Sequence, residues 1–158
     1  MEQEAATARE KDLKKLVSIV NQTTSAVVCQ QAGVADTFAS RLIGLLGKRG
    51  LPCGGGLLIQ PSTGVHTWGM SFAIDIVTLD AQRRVVGLWS NVGPWRMRGL
   101  SARTRSVLEL PAGQIALTRI AIGDRLALVD SAAPKQQAPA RERQTALRET
   151  ATAYAALR

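Results

Sequence analysis

In the stretch VHTWGMSFAIDIVTLD, residues 65–80, His66, Trp68 and Met70 occupy alternate positions and Asp75 is embedded between Ile74 and Ile76. His66 is the only histidine of the chain. If residues 65–70 are extended, the three side chains share one face. An imidazole, an indole and a thioether then stand in a row, offering stacking and one hydrogen-bonding group. Such a strip either lines a ligand cleft or packs into a core. Asp75 poses a sharper demand, because a carboxylate among apolar neighbours costs several kcal/mol unless hydrogen bonds or a cation compensate. Three solutions are open: the planar fork of Arg41, backbone N–H groups of a neighbouring turn, or a functional cleft. Arg41 is the first partner to test. Glu109 has a similar setting in VLELPAG, where Pro111 and Gly113 shape a turn. Arg41, Asp75, Glu109, Pro111 and Gly113 are therefore expected to serve the fold.

His66, Asp75 and Glu109 are also the acid and base groups that lie inside strand-like motifs, so a hydrolytic site would draw on them. No serine elbow, catalytic Cys-His pattern or H-E-x-x-H motif accompanies them. A hydrolase-like enzyme is thus the alternative to a binding module, and no cofactor is expected. Cys29 and Cys53 form no C-x-x-C pair and the chain offers few further ligands, which speaks against a metal site and for two unpaired thiols.

Charge points to a second feature. The 158 residues carry a net charge of +8, and no acid occurs between Asp80 and Glu109 while six arginines do. Within SNVGPWRMRGLSARTR, residues 90–105, Arg96, Arg98, Arg103 and Arg105 are interleaved with Trp95 and Met97. Guanidinium and indole groups together enrich protein interfaces and grip anions. A protein partner or a small anionic ligand is the favoured reading. Nucleic-acid binding ranks below it, because no recognition helix or RNA-binding signature accompanies the arginines. A hydrated, solubilising loop is the bland alternative. No apolar run approaches the ~18 residues of a membrane span, and the charged lead MEQEAATAREKD has no secretory core. A cytoplasmic location is the resulting expectation, and no oligomeric state follows.

The elements that must position these groups read as mainly β with one covering helix, in a compact sandwich or barrel-like domain. Residues 1–22 are charged, and Leu13, Leu16, Val17 and Val20 have helical spacing. Residues 23–130 form the β-rich domain. Residues 131–158 are a Pro/Ala/Gln linker and an Ala-rich tail with helical spacing at Leu147, Ala151, Tyr154 and Leu157. Within the domain, Asp36 is placed to cap a helix with Phe38, Leu42, Leu45 and Leu46 inward, ending near Gly50. Strand composition recurs in SAVVCQQ, GGGLLIQP, VHTWGM, IDIVTLD, RVVGLWS, RSVLEL, QIALTRI and DRLALVD, with DAQRR as a hairpin turn.

FASRLIGLLGKRGL, HTWGMSFAIDIVTLD and VLELPAGQIALTRIAIGDRL together resemble, in order and spacing, the domain of unknown function 192 family of bacteria and archaea, over about residues 25–129. The resemblance implies a compact β-sandwich or barrel-like domain and brings no established activity. Many members carry an export signal ahead of the domain, and here a charged lead stands in its place.

Overall fold

Residues 15–37, 45 and 49–130 are described by the computed structural model of the chain. Apolar residues at period two, many of them β-branched, build nine strands: β1 Leu16–Asn21, β2 Val27–Ala35, β3 Gly55–Ile59, β4 Val65–His66, β5 Ile74–Leu79, β6 Val85–Val92, β7 Met97–Arg98, β8 Ser106–Pro111 and β9 Leu126–Asp130. One short helix, α1, spans Gln114–Thr118. Seven strands form a curled sheet in the order β6-β5-β8-β3-β2-β1-β9, and β4 and β7 form a separate two-stranded ribbon. Every neighbouring pair is antiparallel except β2 with β3. The barrel-like β domain read from the strand pattern is thus present.

The curl brings the two edges of the sheet together at one corner. Arg84 and Arg125 form an antiparallel bridge, and backbone bonds from Val85 to Asp124, Gly123 to Val85 and Leu126 to Arg83 extend it. The corner is held from inside by Asn21, whose Nδ2 donates to Asp124 Oδ2 at 2.7 Å while Ala121 N donates to the same oxygen at 2.9 Å. Both side chains are buried, and each polar group is thereby satisfied.

β5 and β8 are buried almost throughout, since both faces of the sheet are covered. Inside the curl, Val17, Ile19, Val28, Val77, Leu79, Leu108, Leu110 and Leu126 pack with Ile115 and Ile120 from the α1 region. On the other face, Leu57, Ile59, Ile74, Ile76 and Val107 pack with Leu45, Met70 and Val92, flanked by Phe72 and Trp89. The second core lies beneath the segments that carry the ribbon.

Three expectations change. The helical spacing of residues 13–20 does not prevail: Leu16–Asn21 is a strand with burial alternating at period two, paired on both sides. The β-branched run VSIV and two sets of ladder bonds outweigh the helical pattern, so the domain begins before residue 23. QIALTRI, expected as a strand, instead contains α1, entered through Gly113 at φ 90°. VHTWGM is extended only at Val65 and His66. The helix expected from Asp36 to Gly50 and both chain extensions lie, apart from residues 15–37, 45, 49 and 50, outside the described residues; Leu45 of that helix's inward stripe is buried.

Two side chains show how tightly the second face is built. A Cβ on Gly87 would collide with Trp89 Cη2 and stand 2.6 Å from Thr78 Oγ1, so the indole lies flat across a strand position that only hydrogen can fill. Gly87→Ala is expected to cost about 1–3 kcal/mol through overpacking. Urea denaturation checks this, and pairing it with Trp89→Leu should give a loss well short of additive.

Candidate functional site

Asp75 sits at the centre of β5 and is fully buried. Its Oδ1 accepts the N–H of Asn91 at 2.8 Å and its Oδ2 accepts the N–H of Ile115 at 2.8 Å. Each donor needs this acceptor for a local reason. On β6, Ser90 and Asn91 bulge opposite the single residue Asp75, between the pairs Ile74↔Val92 and Ile76↔Trp89. The bulge removes a ladder partner for Asn91, which adopts φ 52°. Ile115 lies in the first turn of α1, whose N–H groups have no partner within the helix. Backbone N–H groups therefore supply partners to both oxygens, and the Arg41 fork lies outside the described residues.

Glu109 is also buried, but it faces away from Asp75. Asp75 pairs with Leu110 and Ile76 with Glu109 across β5 and β8. Paired residues share a face, so Asp75 joins the inside of the curl and Glu109 the second core, with Leu57 as its neighbour on β3. His66 is exposed on the ribbon. The three groups of the hydrolase-like alternative are thus spread over two sheet faces and a surface, and no single site collects them. Pro111 closes β8, and Gly113 provides the left-handed entry to α1.

The row His66-Trp68-Met70 breaks as well. His66 and Trp68 stack at 5.1 Å between ring centroids with 22° between planes. Met70 turns inward to 7% exposure, because extension ends at His66 and Gly69 takes φ 75°.

The organising residue here is Thr67, which the sequence reading did not single out. It is completely buried. Its N–H donates to Arg96 O at 2.8 Å, and its carbonyl accepts from Trp95 N at 3.0 Å and Met70 N at 3.3 Å. Its hydroxyl donates to Gly93 O at 2.8 Å and accepts from Arg96 N at 2.9 Å. One side chain thereby clamps the 93–96 segment to the 66–70 segment. Within the clamp Trp95 adopts φ 61°, a conformation that bulky residues rarely take. Its side chain is nevertheless 68% exposed. The backbone is held in an unfavourable well and the indole is presented to solvent rather than packed.

Around this clamp lies an exposed surface of mixed character. Met97 pairs with His66 across the ribbon, and Trp68, Met97 and Leu100 are exposed beside Trp95. Arg96, Arg103 and Arg105 are exposed and Arg98 is half-buried. Arg98 Nη1 donates to Met97 O, and Arg105 Nη1 donates to Ala102 O and Thr104 O, which orders both side chains along the loop. Among the described residues the one ion pair is Lys15 with Asp130, at 3.1 Å, so none of these four guanidinium groups has a described carboxylate partner. No group of three or more His, Cys, Asp and Glu among the described residues is placed to hold a metal ion, and no described helix is long and apolar enough to cross a membrane.

Both cysteines are free, Cys29 buried and Cys53 exposed. Burial pushes the Cys29 thiol up from 9.0 to about 11, against a smaller opposing hydrogen bond from the backbone of Gln31. The unfolded chain therefore loses this proton first as pH rises. The contribution of Cys29 to stability is complete below pH 9.0 and is lost as the pH climbs to about 11. Denaturation profiles of the native protein and of Cys29→Ala should diverge in that window, and a thiol reagent near pH 8 should modify Cys53 while sparing Cys29 until unfolding.

Comparison with known proteins places this geometry in a lineage. The family model described as "Uncharacterized ACR, COG1430", domain of unknown function 192, matches residues 19–128. A UPF0127 protein of Thermococcus sibiricus is 28% identical over 112 residues, covering 68% of this chain and 72% of its own. The UPF0127 protein PH1112 of Pyrococcus horikoshii is 29% identical over 113 residues, covering 68% and 96%. A crystal structure of a protein of unknown function from Novosphingobium aromaticivorans shares the fold, with a TM-score of 0.58 and 20% identity over 71% of this chain and 83% of that one. The matched span takes in the Asp75 anchor, the Thr67 clamp and the curled sheet that carries them: the chain belongs to the domain of unknown function 192 family.

Proposed function

We propose that this chain is a non-enzymatic binding or accessory module whose ligand-facing surface is the β4–β7 ribbon with the loop that follows it. The observation that carries the reading is the clamped Trp95. A buried threonine spends all its hydrogen-bonding capacity on holding a tryptophan in a left-handed backbone well with its indole in solvent. Strain of this kind costs about 1–3 kcal/mol and persists where the surroundings enforce it. A ring displayed at that cost serves recognition better than it serves the core. The stacked pair His66 and Trp68 and the exposed Met97 enlarge the apolar area, and Arg96, Arg98, Arg103 and Arg105 surround it with positive charge.

Aromatic anchors ringed by guanidinium groups suit a partner that joins an apolar contact to anionic groups. An acidic patch on a protein, or a small anionic ligand, has that chemistry. Met70 has no part in the surface, because it belongs to the second core.

The test compares three forms of the full chain in affinity capture and in direct binding to the captured partner. Native protein should retain partners that are lost when Arg96, Arg98, Arg103 and Arg105 are neutralised together. Thr67→Val, which keeps the shape and removes the hydroxyl, should weaken binding about tenfold and speed amide exchange at residues 93–96. Identical partners and affinities in all three forms would rule the surface out.

A further inference from the structure

A second site lies on another part of the domain, away from the ribbon and independent of its role. The start of β2, the turn at Cys53 and Gly54, and α1 enclose an open cleft of about 590 Å³, within the usual range of ligand pockets of roughly 300–1,000 Å³. Gln114 Nε2 donates to Val28 O at 2.9 Å and so fixes α1 against β2 at the cleft wall. Cys29 lies in the wall with its thiol donating to Gly54 O at 3.3 Å.

Two features distinguish this cleft from an ordinary surface dent. First, its apolar members are held in water: Leu117 is 74% exposed and Val27 is 52% exposed. An aliphatic side chain on a five-residue helix gains nothing from that position in the isolated protein. Second, the cleft is lined by one cation and no anion. Its lining contains Arg119 and no aspartate, glutamate or lysine. Arg119 closes α1 at φ 55° and ψ 36°, a position where glycine is the usual residue. A residue with a long cationic side chain occupies a site where backbone conformation disfavours it, at the mouth of an apolar cleft.

We infer that this cleft binds a small amphipathic molecule with an apolar body and one anionic group, the body against Leu117 and Val27 and the anion on Arg119. A dianion or polyanion would find one cationic partner too few, and a neutral apolar molecule would leave the guanidinium unused.

The full chain is titrated with anilinonaphthalene sulfonate, which carries one sulfonate on an aromatic body, and with its uncharged analogue phenylnaphthylamine. The anionic probe should bind more tightly. Arg119→Gln should weaken the sulfonate probe about tenfold, a loss equivalent to ~1.4 kcal/mol, and leave the neutral analogue unchanged. Leu117→Glu should weaken both. Saturating sulfonate probe should also slow alkylation of Cys53 by iodoacetamide several-fold in the native protein, a readout that needs no variant. No binding at millimolar probe, equal affinity of both variants with native protein, or loss of binding in Trp95→Ala with Arg119→Gln unaffected would each overturn the inference.

Discussion

A carboxylate removed from water has to be answered by hydrogen-bond donors, and Asp75 is answered by two parts of the backbone that cannot satisfy themselves. Through one side chain the bulge of β6 and the first turn of α1 are referred to the same point of the central sheet. The bulge redirects the end of β6, so that Gly93 to Arg96 reach back to Thr67. The helix is fixed over the inside core, so that Ile115 and Ile120 complete it. The ribbon on one side of the molecule and the cleft on the other thus share an origin, although they are chemically unrelated. Hydrogen bonds to charged groups contribute about 1.5–3 kcal/mol each. Two such bonds are a large part of the stability of a domain this size.

The sheet keeps its two buried acids apart by the simplest of rules. Alternation sends Asp75 inward and Glu109 to the second face, one ladder position away. Their closeness in space therefore does not amount to a shared site. A surface built from rings and guanidinium groups asks for rigidity in the backbone that displays it. Thr67 supplies that through hydroxyl and peptide together, where glycine and proline around Trp95 would otherwise leave the segment loose.

Much of the sheet was legible in the sequence because alternation of apolar residues has one meaning in a paired strand. IDIVTLD and RSVLEL show it, and the DAQRR turn was readable from its residues: Asp80 Oδ1 accepts from Gln82 N and Arg84 N, and Arg83 adopts φ 59°. What escaped reading depended on tertiary partners. Leu16–Asn21 satisfies helical spacing locally and is a strand because β2 and β9 flank it. Gln114–Thr118 has strand-like composition and is helical where a distant carboxylate meets its first turn. Thr67 carried no signal at all, since a threonine between a histidine and a tryptophan looks like any strand residue until its hydroxyl meets Gly93 and Arg96. The anomaly at Asp75 was visible from its apolar neighbours, whereas the identity of its partners was not.

The seam of the curled sheet has a consequence for how the molecule responds to its medium. Arg84 and Arg125 face each other across the bridge that joins the two edges, and both are exposed. Like charges directly opposite one another push strands apart. The seam is held by backbone bonds and by Asn21 with Asp124, against a repulsion that dissolved ions screen over about 10 Å at 0.1 M ionic strength. Dissolved salt therefore acts on this closure as a fastener, where on a pair such as Lys15 with Asp130 it acts as a solvent.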